Sequence, residues 1–135
     1  MATDLARDPF GNIYVGGYTK SAGFPLVDGL QEQLAGGFDG FIHELSADGS
    51  QVLFSTLYGG DGDDLFQQLA FDSQDRLYAS GATGSVTFPL TNPIEEMYNG
   101  GAQDGFLLRL SADSEPAPDV TITQIRDYFR FLIPV

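Results

Sequence analysis

Aspartates set among glycines are the residues of this chain best placed to do chemistry. Gly59-Gly60-Asp61-Gly62-Asp63-Asp64-Leu65-Phe66 fits the calcium nonapeptide pattern GGxGxDxUx. Ca²⁺ takes six to eight oxygens, and a glycine-rich turn lets carboxylates and carbonyls converge on it. Asp61, Asp63 and Asp64 are therefore the candidate metal ligands. Such sites are shared between stacked successive turns, however, and the string occurs once here. The competing reading, which we favour, is a glycine-permitted turn with no cofactor.

Other chemistry is harder to assemble. The single histidine, His43, excludes a His-rich metal site, and zero cysteines exclude thiol catalysis, a disulfide scaffold and a Cys-type zinc site. No Ser or Thr lies in a nucleophile-elbow motif. No GxGxxG or GxxxxGK cradle for phosphate is present. Carboxylate pairs for hydrolysis could be drawn from many acids, but none is singled out. With 19 acidic and 6 basic residues the net charge is -13. That charge disfavours nucleic acid and anionic lipid as partners. No apolar run approaches the roughly 20 residues of a membrane helix, so membrane insertion is not expected. Residues 1–11 show neither a basic n-region nor an apolar h-region, so no signal peptide is read there.

The elements that hold these residues follow from an internal repeat. Leu5-Ala6-Arg7-Asp8 returns as Leu69-Ala70-Phe71-Asp72, and Ile13 to Thr19 returns as Leu77 to Thr83. Phe24-Pro25-Leu26 returns as Phe88-Pro89-Leu90, all at an offset of 64. The offset becomes 65 for Asp39-Gly40-Phe41 and Asp104-Gly105-Phe106, and for Leu45 to Asp48 and Leu110 to Asp113. Two copies of one unit are present, over residues 1–58 and 59–113, followed by a linker and C-terminal segment, 114–135.

Each unit reads as four short strands. The first is about Thr3 to Arg7 and Leu65 to Phe71; the second is Ile13 to Thr19 and Leu77 to Thr83. The third is Gly40 to Leu45 and Gly105 to Leu110, and the fourth, in copy one, is Gln51 to Tyr58. Asp, Asn and Gly fill the short turns between them. The strands are apolar on both faces, which suits sheets stacked between neighbours. The class is all-β, as two four-stranded antiparallel blades of a partial propeller. The alternative is an eight-stranded β-sandwich. In copy two Ser114 to Pro118 interrupts the run into the last strand, and Val120 to Thr123 is the candidate replacement.

Antiparallel order places the long loops, 20–39 and 84–104, on one rim with residues 59–64. These carry Asp28, Glu32, Asp39, Asp61, Asp63, Asp64, Glu95, Glu96 and Asp104 against Lys20 alone. The rim reads either as a surface for cations or basic partners, or as a solvated face. Asn92-Pro93-Ile94-Glu95-Glu96 has the signature of a helix start, with a counterpart near Asp28. Phe24-Pro25 and Phe88-Pro89 are expected to plug their rings between blades. His43, at the position of Leu108, is expected to be a packed strand residue.

Residues 11–19, Phe24-Pro25, residues 37–41 and residues 54–60 together resemble the bacterial SBBP-type β-propeller repeat, over roughly residues 3–113. The resemblance implies a propeller, and commonly an exported or surface-attached bacterial protein, so an extracellular or cell-surface location is expected. It implies no shared reaction. Two blades cannot close a ring that needs four to eight. The expected partners are other blades, in the same parent chain or in homo-oligomers. The first copy lacks the glycine-aspartate segment that precedes the second, which favours a fragment of a longer chain. The expected function is a non-catalytic scaffold or binding module for protein or glycan. Two alternatives stand beside it: a propeller hydrolase or lyase whose site forms only in the complete ring, and a calcium-stabilised surface module.

Overall fold

A computed structural model describes residues 1–89 and 102–110. The chain is all-β there, with no helix among the described residues. The first sheet runs in the order β1 (Ala2–Arg7), β2 (Ile13–Thr19), β3 (Asp39–Leu45), β4 (Val52–Tyr58). The second runs β5 (Asp64–Phe71), β6 (Leu77–Thr83), β7 (Asp104–Leu110). Every pairing is antiparallel, and neither sheet closes on itself. The last strand expected in the second unit, the candidate helix at Asn92 to Glu96 and segment 114–135 lie outside the described residues.

The repeat extends to register. Ile13↔Leu45 and Thr19↔Asp39 in the first sheet correspond to Leu77↔Leu110 and Thr83↔Asp104 in the second. A β-bulge falls between Ala2 and Asp4, and its equivalent falls between Phe66 and Gln68. A bulge leaves backbone groups unpaired and re-aims side chains. Here the bulges decide how one blade addresses the next. Thr3 Oγ1 donates to the Phe66 carbonyl at 2.8 Å, and Asp4 Oδ2 accepts from the Leu69 N–H at 2.8 Å.

The core lies between the sheets. Ala6, Tyr14, Ile42 and Tyr58 of the first sheet meet Phe66, Leu69, Phe71, Phe106 and Leu108 of the second. Small residues permit the approach: a Cβ at Gly16 would lie 3.1 Å from the Leu69 side chain, and one at Gly40 3.1 Å from the Phe66 ring. Tyr14 packs edge-on to Phe71 at 5.0 Å. The plug between blades expected of the Phe-Pro pairs is present for Phe88, whereas Phe24 packs on its own sheet, on the open face. Phe24 lies 4.8 Å from Phe41, and its equivalent Phe88 lies 4.8 Å from Phe106. Phe88 also reaches Tyr58 of the first sheet at 5.4 Å.

The helix expected near Asp28 does not form. Side chains and backbone of β4 hold that stretch as an irregular loop instead. Val27 and Ser55 bond each other's backbone in both directions, and Thr56 Oγ1 accepts from the Leu30 and Gln31 N–H groups. Asp28 takes a left-handed φ of 51°, which no regular helix tolerates.

Candidate functional site

Two structural features have functional weight: the faces of the two sheets, and the laced rim above their junction. The faces define the class of protein.

On the first sheet, Leu5, Val15 and His43 share one face, while Asp4, Gly16 and Ile42 share the other. On the second, the equivalents are Leu69, Ala79 and Leu108 on one face, and Gln68, Ser80 and Leu107 on the other. The Ile42 face of the first sheet packs on the Leu69 face of the second. The contact is thus front to back, between non-equivalent faces. A sandwich of two repeats related by a two-fold axis would join equivalent faces. Front-to-back succession is how propeller blades follow one another.

Repetition also shows what stays uncovered. Leu69 is 8% exposed, whereas its equivalent Leu5 is 64% exposed. Ile42 is 1% exposed, whereas its equivalent Leu107 is 42% exposed. The same residue positions are core on one side of each blade junction and surface on the other. His43 takes the packed strand position expected of it, its ring 4.7 Å from Phe24 and 5.5 Å from Phe41. Partial burial lowers its pKa below the ordinary imidazole value.

The rim gathers three connections, as antiparallel order requires. Gly37 N–H donates to the Gly62 carbonyl, Asp64 N–H to Phe38 and Gly84 N–H to Asp63. Asp63 Oδ1 accepts from Phe38 N–H at 2.9 Å. Asp61 Oδ1 accepts from Thr87 N–H at 3.0 Å, which lowers its pKa. Asp64 Oδ2 accepts from Gly60 N–H and from the Ser85 hydroxyl, each at 2.7 Å. Asp61 and Asp64 therefore both fasten the segment after β6, and Asp63 fastens the loop before β3. Among the described residues no three His, Cys, Asp or Glu side chains converge so as to hold a metal ion.

The picture of a uniformly exposed acidic rim needs correction at two positions. Asp39 and Asp64 are both 0% exposed. Asp39 Oδ2 accepts from Ala35 N–H at 2.8 Å and from the Gln31 amide, whose oxygen in turn accepts from Gly59 N–H. Gln31, Ser85 and Thr56 were not legible as rim fasteners. Gln31 carries no motif, although Ser85 has a repeat counterpart in Ser21 that hinted at a fixed role. An apolar crevice of about 10 Å³, lined by Ile42, Thr56, Tyr58, Phe66 and Leu108 among others, lies at the junction. It has room for about one water and no ligand.

Fold and faces together define a β-propeller-type repeat unit, two blades in succession. The model of the SBBP family, described as a β-propeller repeat, matches residues 2–25. A relative from Caulobacter vibrioides, the regulatory protein FlaEY, is 38% identical over 76 residues. The match takes in 55% of this chain and 8% of that protein. This chain therefore spans less than a tenth of the relative's length.

Proposed function

We propose that the chain is a non-catalytic propeller repeat module, a scaffold whose two open blade faces seat further blades. The observation that carries this reading is the exposure contrast between equivalent residues, Leu5 against Leu69 and Leu107 against Ile42. Each open face repeats the pattern of a face that is already core within the chain. Thr3 and Asp4 bind the next blade's backbone; Gln67 and Gln68 stand in their places on the second blade, with amide groups capable of the same contacts. The preceding face offers Leu5, Val15 and Phe24, and the following face offers Leu107 and Tyr78. The SBBP resemblance supports placing the module in an exported or surface-attached bacterial protein. The match to a small part of a long regulatory protein supports a role as one module among others.

Light scattering tests the reading. The purified chain is expected to associate, because two apolar faces on a 14.5 kDa body exceed what a monomer tolerates. Leu107→Lys is expected to shift assembly toward monomer by roughly tenfold or more in dissociation constant, by desolvating an unpaired ammonium in the seat. A stable monomer at high concentration, in which Leu107→Lys changes nothing, would exclude the reading.

A further inference from the structure

Among the described residues the buried carboxylates of Asp39 and Asp64 have no counter-charge. Both side chains are 0% exposed, and both press against Gly59. A Cβ there would lie 2.7 Å from Asp64 Oδ2 and 2.9 Å from Asp39 Oδ1. In each residue Oδ2 accepts two hydrogen bonds, while the buried Oδ1 has no partner. Among the described residues no Lys, Arg or His forms an ion pair with either. Two unpaired, adjacent, buried negative charges are strongly disfavoured, and such a pair resolves the conflict by keeping a proton or gaining a cation.

We propose that Asp64 keeps its proton at neutral pH, so that two negative charges are not buried side by side, and that this proton governs how firmly the rim loops are fastened. A cation is the less suitable occupant. Among the described residues no third acidic or His ligand converges there, and Gly59 is packed against both carboxylates. The surroundings reinforce proton retention. The elements around the pair carry Asp28 and Glu32 in the overlying loop, Asp61 and Asp63 in the turn and Asp104 at the start of β7, all acidic. Lys20, the cation of that loop, stands over the Phe38 ring at 5.3 Å. Thr83 and Ser85, from β6 and the segment after it, are neutral, and burial holds the Tyr58 hydroxyl protonated. Burial, with a smaller contribution from Asp39, raises the pKa of Asp64 above the ordinary carboxyl value.

The sign of the effect follows from that direction. A group with a raised folded pKa stabilises fully below its unfolded pKa, near about 4, and loses that contribution as pH rises through the folded value. His43, further along β3, has the opposite sign, because its folded pKa is lowered. Its contribution is lost as pH falls through the unfolded value. The measurement is therefore made in a His43→Leu background, Leu being the residue at the equivalent position, Leu108.

Thermal melts of this background and of the same chain with Asp64→Asn are compared from about pH 4.5 to about pH 8. The amide keeps an acceptor for Gly60 and Ser85 and supplies a hydrogen without a charge. Asp64→Asn is expected to melt higher at pH 8, by about 3 °C, with the gap closing toward pH 4.5. Asp39→Asn serves as a second variant: with the neighbouring carboxylate gone, the pH dependence attached to Asp64 is expected to shrink. The infrared band of a protonated carboxyl is expected at neutral pH in the background chain and absent from Asp64→Asn. The proposal is overturned if that band is missing. It is overturned as well if the substitutions lower the melting temperature equally at every pH. A rise in melting temperature with CaCl₂ beyond that of NaCl at equal ionic strength, lost in Asp64→Asn, would assign a cation in place of the proton.

Discussion

Leu69→Ala is expected to destabilise the chain by about 3 kcal/mol, while Leu5→Ala changes stability by no more than about 0.5 kcal/mol. The two leucines occupy equivalent positions in the repeat and differ only in what covers them. Leu69 is 8% exposed and packs against Gly16, so truncation removes apolar contacts and leaves a cavity that rigid strands cannot collapse. Leu5 is 64% exposed, so truncation removes little that the folded chain had gained. Denaturant titration at concentrations where the chain is monomeric separates the two. Equal losses would mean that the two units do not pack front to back.

Gly81→Ala is expected to cost about 3 kcal/mol, as large an effect as any single substitution considered. A Cβ there would lie 1.9 Å from the Leu65 carbonyl oxygen and 2.8 Å from Phe106 Cζ. The obstacle is backbone, which cannot rotate away, and relief requires moving β5 off β6. A Cβ at Gly17 would collide with the Met1 carbonyl oxygen in the same way, one repeat earlier. The strand that would have to move is the edge strand β1, which can shift with less loss of core. Gly17→Ala is therefore expected to cost less than Gly81→Ala. Denaturation midpoints rank the two, and the reverse order would show that β1 is held as firmly as β5.

The strands were legible because the chain repeats itself. An offset of 64 to 65 aligned Ile13–Thr19 with Leu77–Thr83, and those boundaries are the ones the structure has. The packed role of Phe24 and Phe88 was legible for the same reason: a ligand contact has no need to occur twice. Stacking order was not legible. Both faces of each strand are apolar, so nothing in the pattern says which face meets which. The bulges near Asp4 and Gln68 decide it, and they leave no signature in residue type. The acidic rim was legible as a concentration of charge but not as a structure. Asp39 and Asp64 lie 25 positions apart and meet only because the turn after β4 folds under the loop before β3. The helix expected at Asp28 was lost to hydrogen bonds from Ser55 and Thr56, residues whose loop-binding role is visible only once β4 is in place.

The front-to-back order extends naturally to two copies of the chain. Leu5 of one copy would sit over Ser80 of another, as Leu69 sits over Gly16 within the chain. The absence of cysteine makes this directly measurable. Leu5→Cys and Ser80→Cys proteins are mixed under mild oxidation and the disulfides between copies are identified by mass spectrometry. Close approach of the two positions is required for that bond. The account predicts that the Leu5→Cys/Ser80→Cys heterodimer forms well in excess of pairs made with Phe10→Cys, an exposed turn position. Dominant Leu5→Cys homodimers, which join equivalent faces, or no excess over the turn control, would contradict it.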